Sequence, residues 1–290
     1  MGSCLNTSFM KKNILIVDSG STKTDWCFIN KEGKIKQFKT VGINPNLMDT
    51  ESIEVLIDQC FQKHLKNHTL QAVHYYGAGI GTSQNKRMVS SVFKKNAPKA
   101  NIDVLSDIVG AARSLCKDKK GVVCILGTGS NAVFYNGKTC TSIHSSLGYI
   151  AGDEGSGNDL GKRVLQHYAY KTFDKPLLDA FEEMVEMDLP SIITKLYKEP
   201  FPNRLLASFA KLLANNRGHF MVENILEDSF TAFFQQHLLK CRQTWQYPIY
   251  FTGSISFAFK DVLLQICNHL GLALGDVSAS PMKGLIAYHS

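Results

Sequence analysis

The stretch ILIVDSGSTKTDWCFI, residues 14–29, decides the fold. An apolar run, residues 14–17, leads straight into Asp18. A turn of glycine, serine and threonine follows with one lysine, and residues 26–30 then read as a second strand. Backbone N–H groups in such a turn can face a phosphate, while Asp18 suits a metal and Thr22 and Lys23 add side-chain donors. The plainer reading is a β-hairpin whose Gly20 serves a positive φ angle. An acid at the strand end and a polar residue at every turn position weigh against it. The stretch ILGTGSNAVFYNGKT, residues 125–139, repeats the strand, the glycine-hydroxyl turn and the second strand. Two such turns point to one nucleotide clamped between two similar halves.

The rest of the chain fits that duplication. At 290 residues it exceeds one typical core, so two domains of about 100–200 residues each are expected. Residues 1–10 lack an apolar core and a basic flank and read as a disordered lead-in instead of a signal peptide, with Met10 an alternative start. Residues 11–117 alternate strands and helices: a third strand at 35–40, a helix at 51–66, a strand at 72–76, a helix at 84–96, a strand at 102–105 and a helix at 107–116. The basic stretch CKDKKG, residues 116–121, is the expected boundary. Residues 118–290 restart with a strand at 122–126 and hairpin strands to about residue 143. They continue through a glycine-rich loop at 145–162 and a helical region at 156–240, broken at Asp174-Lys175-Pro176 and at residues 199–202. A strand at 248–252, a helix at 257–270, and a short strand and helix close the chain. The final helix could pack back on the N-terminal domain. The expected fold class is α/β, two mixed sheets covered by helices.

Composition excludes several classes. No apolar run reaches the length of about 18 residues needed to span a membrane. The net charge of +7 comes from dispersed lysines that are not interleaved with aromatics, which argues against nucleic acid and suits an anionic small ligand. Eight cysteines include no CxxC, and several sit in apolar runs, the pattern of reduced core thiols in a cytoplasmic protein. Zinc is not supported, and His144 and His167 are left as structural or surface residues.

Five further places bear on the chemistry. Gly127-Thr128-Gly129-Ser130-Asn131 has two glycines bracketing a hydroxyl, which frees N–H groups for an anion. Asp107 ends a strand and opens a helix behind Ser106. Capping explains it, and so does a general base at a strand's carboxyl end, where ligands gather in α/β sheets. Gly152-Asp153-Glu154-Gly155-Ser156 sets two carboxylates between glycines before a helix; either a solvated helix start or a ligand loop fits, with Asp153 accepting hydrogen bonds from hydroxyls. Asn44 and Asn46 read as turn caps, and Gly253-Ser254 as a turn at a helix start.

Together these segments resemble the actin-like ATPase superfamily that includes the sugar kinases, and within it the N-acetylglucosamine kinase branch of the BadF/BadG/BcrA/BcrD ATPase family. DSGSTKTDW is similar to that family's first phosphate motif, GTGSN to its second, FTGSI to its adenosine motif, VLSDIVGA to its catalytic segment and GYIAGDEGS to its sugar loop. The likeness implies two ribonuclease-H-like domains closing over a cleft, with ATP and Mg²⁺ as cofactors and an amino sugar as small-molecule partner. It implies that Asp107 is the base and that Asp18 orients the metal, through water. Ser19, Gly20, Ser21, Thr22, Lys23, Gly127, Thr128 and Gly129 would then surround the phosphates, with Gly253 and Ser254 near adenosine. Asn44, Asp107, Gly129 and Asp153 would touch the sugar. Ser19 stands where many members have glycine, and the surroundings of Asn46 and Tyr149 also depart from animal members. N-acetylglucosamine is the expected acceptor. N-acetylmuramic acid, glucosamine, and an ATPase activating a redox partner remain alternatives, and a homodimer is left open.

Overall fold

The computed structural model describes residues 12–290, so the lead-in and Met10 lie outside the described residues. The chain divides into two compact units, the first ending at Asp107 and the second running from Ile108 to Ser290.

In the first unit β1 (Ile14–Ser19), β2 (Lys23–Ile29) and β3 (Ile35–Val41) form an antiparallel meander. Helix α1 (Thr50–Cys60) leads to β4 (Ala72–Gly77), and α2 (Ser83–Asn96) leads to β5 (Asn101–Ser106). The strand order is β3-β2-β1-β4-β5, with β4 and β5 parallel to β1. Burial follows that order. Leu15, Ile16 and Val17 on the central strand are wholly enclosed, while β3 at the edge is mostly exposed. Trp26 and Phe28 of β2, Val73 and Tyr75 of β4 and Val104 of β5 pack against Ile53 and Ile57 of α1 and Val89 and Phe93 of α2. Asp49 and Thr82 cap the two helices through the N–H groups of Ser52 and Asn85. The helix expected over residues 51–66 loosens into a wider turn at Phe61–Leu65, which keeps both of those residues buried.

Helix α3 (Asp107–Cys116) follows β5. In the second unit β6 (Gly121–Leu126), β7 (Ser130–Tyr135) and β8 (Cys140–Ser142) form another antiparallel meander, and β9 (Ile249–Thr252) and β10 (Leu274–Ser278) add in parallel. The order β8-β7-β6-β9-β10 repeats the first unit strand for strand. Both are mixed five-stranded sheets flanked by helices, the ribonuclease-H-like arrangement expected from the sequence. Strand β6 is buried on both faces. Val122, Cys124 and Leu126 join the larger core, whereas Val123 packs with Ile108, Ala111, Ala112 and Cys116 of α3.

Where the first unit has α1 between its third and fourth strands, the second has a helical insertion. It comprises α4 (Gly148–Ala151), α5 (Gly157–Ala169), α6 (Lys175–Val185), α7 (Leu189–Lys198), α8 (Pro202–Ser208), α9 (Ala210–Asn215) and α10 (Phe220–Phe233). α11 (Ser254–Ala258) and α12 (Lys260–Leu270) connect β9 to β10, and α13 (Met282–His289) closes the chain against α3, where Ser114 Oγ donates to Pro281 O at 2.8 Å. The expected breaks fall where α6 and α8 begin. A further break precedes α7, where Asp188 caps the helix as Asp174 caps α6, each with a proline in the first turn.

Within the insertion, α5 and α8 cross closely. A Cβ at Gly161 would stand 1.8 Å from Leu206 O, a backbone atom that cannot swing aside. Gly161→Ala is therefore expected to cost about 1–3 kcal/mol despite alanine's better helix propensity. Urea denaturation would register it as a lower midpoint at unchanged m; an unshifted midpoint would mean that the two helices separate freely.

Candidate active site

Three parallel strands in the first unit end level with one another. Ser19 of β1 pairs with Gly77 of β4, which pairs with Ser106 of β5. Asp18 is therefore the penultimate residue of the central strand, and Asp107 is the first residue past β5. Both lie at the carboxyl ends of the parallel strands, the edge at which α/β sheets collect ligands. Ser106 Oγ donates to Asp107 Oδ1 at 3.0 Å. Asp107 lies close enough for its charge to act on Asp18. Burial first, and then the Asp107 and Asp25 carboxylates, push the Asp18 carboxyl up from 3.8 to about 8, with Lys23 opposing.

The turn between β1 and β2 closes through Gly20 N–H to Lys23 O at 2.9 Å. Thr22 and Lys23 are exposed on it, and Ser21 is half-buried. Ser19, by contrast, is wholly buried with its hydroxyl turned inward, which leaves its backbone as the part on the turn. Lys23 Nζ lies 3.5 Å from Asp25 Oδ2 and Lys39 Nζ 3.4 Å from Asp25 Oδ1. Asp25, which pairs across the hairpin with Asp18, went unread in the sequence. An acid at a buried strand position was the signal that could have found it.

Asn44 sits beside the same turn, 8% exposed. Its Nδ2 donates to Ser21 Oγ at 2.8 Å and its Oδ1 accepts from Asn46 N–H at 3.0 Å, so the turn-capping reading and a position next to the glycine turn hold together. Gly79 packs on it: with φ +78, its hypothetical Cβ would lie 2.2 Å from Asn44 Oδ1. Asn85 ties this corner together, donating to Asn46 Oδ1 at 2.7 Å and Gly79 O at 2.8 Å.

The second unit builds its site from the corresponding strand ends. Ile125 of β6 pairs with Thr252 of β9, so the turn Gly127-Thr128-Gly129 and the turn Gly253-Ser254 emerge side by side, with Ser254 exposed. The start of α5 locks the first of them: Gly157 N–H donates to Gly127 O at 2.8 Å and Asn158 N–H to Thr128 O at 3.0 Å. Asp153 holds a left-handed φ of +63 and accepts from Ser130 N–H and Asn158 Nδ2, both at 3.2 Å. Gly129 has no Cβ to obstruct it, for one would lie 2.8 Å from Asp153 Oδ2. Burial raises the Asp153 carboxyl, and these donors and Lys162 only partly offset it. Burial would raise Glu154 as well, but the hydrogen bond from His237 Nε2 at 3.0 Å, its own backbone N–H and the charges of His237 and Lys162 together hold that carboxyl below its usual range. Asn158 is a second residue that the sequence reading missed. Its Oδ1 and the Ser130 Oγ are buried with no hydrogen-bond partner.

Each unit thus brings together the residues expected of it. In the first these are Asp18, Ser19, Gly20, Ser21, Thr22, Lys23, Asn44 and Asp107; in the second, Gly127, Thr128, Gly129, Asp153, Gly253 and Ser254. A cavity of about 610 Å³ in the first unit, lined by Lys39, Val41, Val55, Lys63 and others, includes none of them. Among the described residues no group of three or more His, Cys, Asp or Glu side chains is arranged as a metal cage. Magnesium does not require one, because it takes one or two carboxylates and fills its remaining positions with phosphate and water oxygens. The crowded pair Asp18 and Asp107 fits that donor set, since a divalent cation would relieve the repulsion that raises Asp18.

A sequence profile of the BadF/BadG/BcrA/BcrD ATPase family matches residues 17–255. The chain belongs to this family. As a member of an ATPase family it uses ATP. A solved structure from Porphyromonas gingivalis, proposed to be an N-acetylglucosamine kinase, superimposes with a TM-score of 0.85 at 39% identity, covering 95% of this chain and 98% of that one. A Chromobacterium violaceum structure proposed to be the same kind of kinase gives a TM-score of 0.73 at 18% identity over 96% and 99% of the two chains, a likeness of fold. The N-acetylmuramic acid/N-acetylglucosamine kinase of Clostridium acetobutylicum is 23% identical over 241 residues, 77% of each chain. No helix among the described residues is long and apolar enough to cross a membrane.

The raised Asp18 has a thermodynamic signature. Its folded value of about 8 exceeds 3.8, so folding takes up a proton between those values and stability falls as pH rises through that window. Asp18→Asn should stabilise the ligand-free protein near pH 8 by several kcal/mol and flatten this part of the profile. Urea denaturation at about pH 5 and about pH 8 checks it; an unchanged slope would mean that Asp18 stays ionised.

Proposed function

We propose that the protein is an ATP- and Mg²⁺-dependent kinase that phosphorylates the 6-hydroxyl of N-acetylglucosamine. The observation that carries this reading is the presence of Asp18 and Asp107 at level ends of parallel strands, beside a turn whose N–H groups and Lys23 suit phosphate. The Porphyromonas gingivalis structure, alike over nearly the whole chain, supports the sugar.

In this reading Asp107 accepts the proton of the sugar hydroxyl as that oxygen bonds to the γ-phosphorus. The bond from the γ-phosphorus to the bridging oxygen breaks, and its electron pair leaves with ADP. Asp18 would hold magnesium, and the ion would supply positive charge to offset that of the phosphates. The turn Ser19-Gly20-Ser21-Thr22, with Lys23, serves phosphate oxygens, as does the turn Gly127-Thr128-Gly129. Gly253 and Ser254 serve adenosine. Asn44, Gly129 and Asp153 hold sugar hydroxyls. The raised carboxyl of Asp153 suits it to exchange hydrogen bonds with a hydroxyl in a dry site.

N-acetylmuramic acid is the second acceptor to weigh, because the Clostridium acetobutylicum relative is named for both sugars. Phosphate transfer to glucosamine, N-acetylglucosamine, N-acetylmuramic acid, N-acetylmannosamine and glucose separates the readings. The highest kcat/KM is expected for N-acetylglucosamine, and a blank panel with ATP still bound would overturn the kinase. Asp107→Asn should lower kcat by about 10²–10⁴ while an ATP analogue binds within about threefold of the wild type. Retained turnover would remove Asp107 from the role of base.

A further inference from the structure

The Ser19 hydroxyl crosses between two segments that are both part of the proposed site. It accepts from Ile43 N–H at 2.9 Å, and it lies 3.1 Å from Ile43 O and 2.7 Å from Thr24 Oγ1. Thr24 Oγ1 in turn donates to Val41 O at 3.0 Å. Ser19, Thr24 and Ile43, which carry this network, are all wholly buried. Around it, Gly42 N–H donates to Thr22 O at 3.0 Å, and a Cβ at Gly42 would lie 2.3 Å from Gly20 O. Asn44 follows directly, bonded to Ser21 Oγ. The chain leaving β3 therefore lies flat on the glycine turn and is fastened at both ends, by Ser19 behind and Ser21 in front.

We propose that Ser19 is a positioning residue for the acceptor: its buried hydroxyl fixes residues 42–44 against the glycine turn, so that Asn44 meets the sugar in fixed register with the phosphates. This rests on the reading of Asn44 as a sugar residue. Asn44 spends one amide hydrogen on Ser21 and one carbonyl lone pair on Asn46. The second amide hydrogen and the second lone pair remain for a donor–acceptor hydroxyl. Their direction depends on the fastening of the segment. Loosening Ser19 lets Asn44 drift from the turn while the turn, closed by its own Gly20–Lys23 bond, keeps its shape. The loss then falls on the sugar and spares the nucleotide.

The test is calorimetric titration of the full chain with N-acetylglucosamine, and separately with a non-hydrolysable ATP analogue, for Ser19→Ala, Ser21→Ala, Asn44→Ala and the Ser19→Ala/Asn44→Ala double variant. Ser19→Ala is expected to weaken the sugar about tenfold and the ATP analogue less than about twofold, with the double variant no weaker for sugar than Asn44→Ala alone. A structural role by itself would lower the melting temperature and leave the affinity of the folded protein intact. Should Ser19→Ala fail to fold, Ser21→Ala removes the front fastening and carries the same expectation. If Asn44→Ala leaves sugar affinity unchanged, the reading of Asn44 falls and the proposal with it. If Asn44→Ala weakens the sugar but neither serine variant does, Asn44 stands and the positioning role is overturned.

Discussion

The level ending of β1, β4 and β5 is the constraint on which the first unit's chemistry depends. A carboxylate that is buried near two others disfavours its own charge, so the segment carrying Asp18 would move into water if the surroundings allowed it. They do not. Leu15, Ile16 and Val17 are wholly enclosed immediately before Asp18, and Ser19 is enclosed immediately after. Sliding the strand by one residue would turn every one of these side chains to the opposite face. The apolar core thus holds an unfavourable electrostatic arrangement in place.

The second unit repeats the strand order and solves the turn problem differently. The first glycine turn is backed by a hydroxyl network from Ser19 to Ile43, whereas the second is backed by the first N–H groups of α5. The helix start thereby anchors the turn through Gly127 O and Thr128 O. Its next side chains work in two directions. Asn158 reaches Asp153, and Asp159 accepts from Ser229 Oγ at 2.6 Å and Arg163 Nε at 3.2 Å, which fastens α5 to α10. The polar loop and the helical insertion are therefore parts of one construction.

How much of this was legible in the sequence follows from the range of each interaction. The strand–turn–strand pattern at residues 14–29, its echo at 125–139 and the helix opening at Asp107 are local, and local signals read well. Asp174-Lys175-Pro176 was recognised as a break, yet Asp188-Leu189-Pro190 carries the same capping aspartate and first-turn proline and passed unread inside an apolar stretch. Asp25, Asn85 and Asn158 were missed for another reason. Each acts on a residue or backbone group brought to it by the fold, as Asn85 does on Asn46 from 39 residues away. Spacing along the chain carries no trace of such pairs. Ser19 looked like one more turn residue, and only the burial of its hydroxyl separates it from Ser21.

Asp153 shows why the loop before α5 needs its neighbours. A left-handed backbone at a residue with a side chain costs of order 1–3 kcal/mol, and burial of the carboxyl adds to that. Hydrogen bonds from Ser130 N–H and Asn158 Nδ2 to the carboxylate, about 1.5–3 kcal/mol each, offset that cost. Asn158 Oδ1 and Ser130 Oγ stay unpartnered beside it. In the proposed function that unused hydrogen-bonding capacity would serve sugar hydroxyls. A loop built only to cap α5 would have no need of Asp153 in this conformation, because Ser156 already accepts from the N–H groups of Asn158 and Asp159.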